Sequence, residues 1–211
     1  MHQQPEGRGR FLNWALGAVV LALAVVSFRF MAGRPAFDAD KVAHAETRMW
    51  QAYYSGDKAQ LGLQLIALLR SEHGLSLLEA REVGERLASS AMAFRAARGD
   101  YERAVLPDLS KAYGLIQRAT GASFDPGKVA RAELAWWVAR RTPGQNSAEQ
   151  VGKKMAELYA LLYGRDAPAF EIAGLLRAQA AQVRDSGGKD ADWVRIENLL
   201  RQSYRELKKG M

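Results

Sequence analysis

Cysteine is absent from the 211 residues, which excludes disulfides, thiolate metal sites, haem attachment and lipoprotein-type acylation together. The absence selects no compartment, because a chain without thiols suits oxidising and reducing surroundings alike. Proline is scarce, with six residues, most of them where a helix would begin or end. Histidine occurs only at His2, His44 and His73, and none has the E-x-x-H or H-E-x-x-H spacing of a helical metal site. His44, one turn from Asp40 and from Arg48, fits a polar surface row. His73 fits the last turn of a helix, where a cation complements the dipole.

Catalytic signatures are missing as well. Gly121-Ala122-Ser123-Phe124-Asp125-Pro126-Gly127-Lys128 has the residue types of a phosphate loop, but five residues separate its glycines and Val129 follows the lysine. It also follows a helical pattern, whereas a phosphate-cradling loop follows a strand. No G-x-S-x-G occurs. The acidic stretch from Asp185 to Asp192 lacks the ligand alternation and terminal glutamate of an EF-hand loop. These observations give no cofactor, no metal and no recognisable reaction, so the reading leans away from an enzyme.

Charge is not concentrated. The formal net charge is +7, of which Arg8, Arg10, Arg29 and Arg34 against Glu6 supply +3. The remaining 177 residues mix both signs and carry +4. A nucleic-acid binder concentrates cations in a stripe beside aromatic platforms, and no such stripe is evident.

Against these absences stands one long apolar run. Phe11 to Phe28 contains no charged residue and as a helix would extend about 27 Å, close to a hydrocarbon core of roughly 30 Å. Arg10 and Arg29 bracket it and can snorkel to headgroups, while Phe30, Met31 and Ala32 continue its apolar surface. The nearest A-x-A triplet, Ala43-His44-Ala45, lies too far downstream for ordinary signal cleavage. The expected organisation is therefore a short tail at 1–10, a transmembrane signal-anchor helix at 11–32, a linker at 33–37 and a soluble helical domain at 38–209. Basic residues flank both ends of the run, so charge does not fix its direction. A ten-residue tail is more easily retained than translocated, which favours a periplasmic domain on a bacterial inner membrane.

The remainder reads as all-α. Apolar residues recur at helical spacing, with turn chemistry at every junction and no sustained period-two alternation. Eight helices are expected near 38–54, 57–73, 76–98, 100–120, 125–141, 147–163, 166–185 and 191–209. Pro107 should kink or break the fourth. Asp166 should open the seventh, and Asp190 should cap the eighth. The helices pair into four hairpins at intervals near 40 residues, which fits a compact bundle. A short superhelical array with the rhythm of tetratricopeptide repeats is the alternative, although Trp50-Gln51-Ala52-Tyr53 lacks the Leu-Gly of that signature.

The most distinctive segment runs from Glu133 to Arg141. Trp136 and Trp137 are adjacent and point about 100° apart on a helix. One ring should enter the core and the other should lie at its edge, with Arg140 and Arg141 placed for cation–π contact. Trp136, Trp137, Arg140 and Arg141, with Trp50 and Tyr54 on the first helix, form the candidate interaction surface. Trp and Arg dominate binding hot spots when exposed, whereas helical aromatics otherwise fill core space. Glu133, Arg177 and Asp185 are the candidate buried polar groups, on which a ligand-binding or catalytic pocket would have to rest. Arg201, Arg205, Lys208 and Lys209 stripe the last helix, either solvated or against anionic lipid. The leading expectation is a membrane-tethered, non-catalytic helical module that binds another protein. A helical enzyme or small-ligand domain and an anionic-lipid-contacting domain are the alternatives.

Overall fold

Side-chain caps decide where most helices begin. Asp38 accepts from the backbone N–H groups of Asp40 and Lys41, at 3.1 and 3.2 Å, and opens α1 (Ala39–Ser55). Reciprocal capping boxes, Ser76 with Glu79 and Ser147 with Gln150, open α3 (Leu77–Ala96) and α6 (Ala148–Tyr163). Asp125 followed by Pro126 at the first helical position opens α5 (Pro126–Arg141). Each device satisfies backbone donors that the first turn leaves without partners. Gly56, Gly121 and Gly164 close α1, α4 (Tyr101–Thr120) and α6 in the left-handed region, at φ of 78°, 69° and 65°. A residue with a Cβ adopts that conformation only at a cost. The remaining helices are α2 (Lys58–His73), α7 (Pro168–Gly187) and α8 (Trp193–Gly210).

The computed structural model describes residues 37–73 and 75–211. Among them are eight α-helices, one 3-10 turn (Gly188–Asp190) and no strand. None of these helices is long and apolar enough to cross a membrane. The expected anchor at 11–32, with the tail at 1–10 and the linker up to residue 36, lies outside the described residues.

Three local expectations need correction. Pro107 leaves α4 unbroken as a helix. It stands in the second turn on the exposed face, where the Arg103 carbonyl it strands is also on the solvent side. The seventh helix starts at Pro168 behind Ala167, which offers no capping side chain, so Asp166 precedes it rather than opening it. Asp192 caps α8, accepting from the Arg195 N–H at 2.9 Å, while Asp190 belongs to the 3-10 turn.

Each helix packs against the next in sequence, and α8 returns to pack against α1. This closure makes a ring of alternating up and down helices, whereas an open superhelical array would leave its first and last helices apart. Phe37 lies against Tyr204, with ring centroids 6.2 Å apart, and Arg205 forks onto Asp40 at 3.0 and 3.1 Å. Both contacts fasten the ends of the domain together. Small residues set the closest approach, between α6 and α7, where a Cβ on Gly174 would fall 2.3 Å from the Gly152 carbonyl.

Helices that are not ring neighbours meet through long side chains along the axis. Phe94 of α3 lies 5.3 Å from Trp137 of α5, and Trp136 stands edge-on to Trp137 at 6.2 Å. The axis is thus filled by Trp, Tyr, Phe and one buried arginine, Arg177. Dense packing of this kind leaves little tolerance for changes in volume.

Candidate functional site

Two polar places emerge, one closed and one open. The closed one lies midway along the ring axis. Arg177 of α7 and Glu46 of α1 form a fully buried ion pair, and the Tyr204 hydroxyl of α8 donates to the other oxygen of the same carboxylate. Arg177 also donates to the Tyr159 hydroxyl at 3.4 Å. Burial alone would ease the proton from Arg177, but Glu46, Tyr204 and Tyr159 outweigh it and hold the guanidinium charged. Burial, and then the Glu46 charge, push the Tyr204 phenol well above its ordinary range, so it remains a donor.

Glu133 of α5 lies beside this pair and is 1% exposed. Its carboxylate accepts from the Trp137 indole at 3.0 Å and from the Tyr113 hydroxyl of α4 at 3.2 Å. Burial pushes its carboxyl up to about 7, against the pull of Arg177 and of the hydrogen bonds from Trp137 and Tyr113. Two carboxyl groups thus share one guanidinium, and Glu133, the one without direct contact, holds its proton more tightly than an ordinary carboxyl. The group is chemically unusual but sealed: Glu46, Glu133 and Arg177 are each buried to within 1%.

The open place is a cleft of about 660 Å³ at one end of the ring, between the α1–α2 turn and the α7–α8 connection. Its inner wall is built by stacking. The Arg184 guanidinium lies 3.4 Å from the Tyr54 ring centroid and 5.9 Å from that of Trp193. Behind Tyr54, Arg140 forks onto Asp185 at 2.7 to 3.0 Å and donates to the Tyr54 hydroxyl at 3.4 Å. Tyr54 and Asp185 hold the Arg140 guanidinium above its ordinary range despite burial. Arg48, Gln51, Gln60, Gln64 and Lys189 form the polar rim.

The residues singled out from sequence divide between these places. Trp50, Trp136 and Trp137 are all buried, at 2%, 1% and 0% exposure, so they offer no surface to a partner. Both tryptophans of α5 are enclosed because α4 and α6 flank that helix while the ring axis takes its third side. The expected pairing of arginines with these rings is also not what forms. Arg140 bonds Asp185, and Arg141 lies 3.8 Å over Phe94 while donating to the Phe94 carbonyl at 2.7 Å. Tyr54 alone of that set lines the cleft. Glu133 and Arg177 sit in the buried cluster, and Asp185 lies at the surface.

Glu46, Tyr159, Tyr204, Arg184 and Trp193 carried no sequence signal as site residues. The adjacency of Arg184 to Asp185, and of Trp193 to the opening of α8, was the available hint. The basic stripe on α8 is largely neutralised: Arg201 and Arg205 meet Glu197 and Asp40, and Lys209 meets Glu206. His44 pairs with Glu197 at 3.2 Å, and His73 is buried. No protein-family model matches this chain, and neither a curated protein nor a solved structure does.

Proposed function

We propose that this chain is a membrane-tethered, non-catalytic helical module of the bacterial envelope that holds a partner protein in the cleft at one end of its ring. The observation that carries this reading is the cleft itself, a preformed concavity with an aromatic and arginine wall and a polar rim. Aromatic and arginine side chains fixed in place give interface area at low cost in conformational entropy. The burial of Glu46, Glu133 and Arg177 weighs against a reaction pocket on those groups. The ion pairs of Arg201, Arg205 and Lys209 weigh against α8 as a lipid-binding face.

Geometry also suits a tether. Phe37 enters the domain at the start of α1, and the cleft opens beyond the far end of that helix. Seventeen helical residues separate the two ends, a span of about 25 Å. With residues 11–32 in the inner membrane and the domain on the periplasmic side, the cleft faces away from the bilayer. One experiment addresses both parts, by chemical cross-linking of the full chain in its native membranes. Deleting residues 11–32 is expected to move the chain to the soluble fraction. Gln60→Trp, which fills the cleft from an exposed position, is expected to leave the chain in the membrane and remove its partner adduct. A deleted chain that stays with the membrane, or an adduct indifferent to Gln60→Trp, contradicts the proposal.

A further inference from the structure

We propose that the cleft recognises an extended, acidic segment of its partner protein, an inference that rests on the interaction-module reading above. The charge pattern of the lining argues for the acidic character. Among the described residues Arg48, Arg184 and Lys189 have no carboxylate in ion-pair range. Asp57 is the one acid of the cleft lining, and Asp190, next to Lys189, lies in the 3-10 turn outside that lining. Asp185 is taken by Arg140, and Asp57 accepts from the Gln60 backbone N–H at 2.9 Å as the cap of α2. Among the described residues the cleft lining therefore carries three cations against one carboxylate, a net positive surface. Arg184 is held against the Tyr54 ring with its Nε buried, so that only its terminal nitrogens can meet a ligand in the cleft. A guanidinium fixed in this way is prepared for a carboxylate, because little rotamer freedom remains to be lost on binding.

The extended form follows from the amides. Gln51, Gln60 and Gln64 line the same cleft. Each carboxamide both donates and accepts, which matches the alternating N–H and C=O groups of a peptide backbone. A free dicarboxylate offers only acceptors and leaves the carboxamide oxygens unmatched, as do nucleic-acid phosphates. The Tyr54 and Trp193 rings supply apolar area for a neighbouring side chain of the segment.

The test is fluorescence anisotropy at low salt with the full chain in detergent micelles. The probe is a labelled octapeptide of alternating glutamate and leucine, compared with its glutamine counterpart and with free glutarate as competitor. The acidic peptide is expected to saturate, the glutamine peptide to bind about tenfold more weakly or less, and glutarate to leave the complex intact. Arg48→Glu combined with Lys189→Glu, both exposed, is expected to weaken the acidic peptide about tenfold or more without shifting thermal unfolding. Equal binding of both peptides, indifference to the double reversal, or displacement by glutarate overturns the inference. Failure here separates cleanly from failure of the broader reading. If Gln60→Trp still removes the partner adduct while no acidic peptide binds, only the acidic chemistry is wrong.

Discussion

Arg177 brings a full positive charge to the axis of the ring, and Glu46 meets it where neither touches water. Such a pair contributes little net stability, because desolvation offsets most of its attraction, yet removing one partner leaves a bare buried charge. Glu46→Gln is therefore expected to cost about 3–5 kcal/mol in urea unfolding, and pairing Glu46→Met with Arg177→Met to recover most of that loss. Glu133 acts in the opposite sense. Its carboxyl is raised to about 7 from an ordinary 4.5, so folding favours the protonated form. The stability it contributes is complete below about pH 4.5 and is lost as pH rises through about 7, a difference of about 3 kcal/mol. Glu133→Gln keeps an acceptor for Trp137 and Tyr113 and carries no charge. It is expected to exceed the parent in stability by about 3 kcal/mol above pH 7, and to lose that advantage in acid. Equal pH profiles for the two proteins, read by urea unfolding, contradict this. Sequence singled out Glu133 and Arg177 as polar candidates but not Glu46, because the partner of Arg177 lies 131 positions away and no local pattern joins them.

Helix identity was readable because it is local. Asp38, Ser76, Asp125 and Ser147 announce their helices through cap chemistry spread over four residues, and the structure uses all four. Pro107 misled for a physical reason: a proline forbids a hydrogen bond, but whether the helix breaks depends on which face loses it. Trp136 and Trp137 misled because helical geometry requires them to point apart, yet a helix enclosed on three sides buries both directions. The α6–α7 contact belongs to the same scale. Gly174→Ala places a methyl group against the Gly152 backbone and is expected to destabilise by about 1–3 kcal/mol in thermal unfolding. Gly62→Ala, with nothing within 4 Å of the added Cβ, is expected to be neutral or to stabilise by up to about 1 kcal/mol. Equal shifts for the two variants contradict a tight α6–α7 crossing.

Closure of the ring belongs to the whole molecule. Contacts of Asp40 with Arg205, Glu46 with Tyr204 and Phe37 with Tyr204 join residues more than 150 positions apart. No hairpin rhythm reveals such contacts, which is why a bundle and an open array looked alike in sequence. The same closure creates the cleft, since Tyr54 and Gln60 come from one corner of the ring and Arg184 and Trp193 from another. In the proposed arrangement the two ends of the ring have different tasks, attachment at the Phe37 end and recognition at the cleft end. The direct measurement is site-specific photo-cross-linking of the full chain in its native membranes. One photoreactive residue replaces Gln64 in the cleft and another replaces the exposed Ser123 at the opposite end. The expected result is a discrete protein adduct from Gln64 and none of the same mass from Ser123. The same adduct from both positions, or from Ser123 alone, contradicts a recognition cleft at that end of the ring.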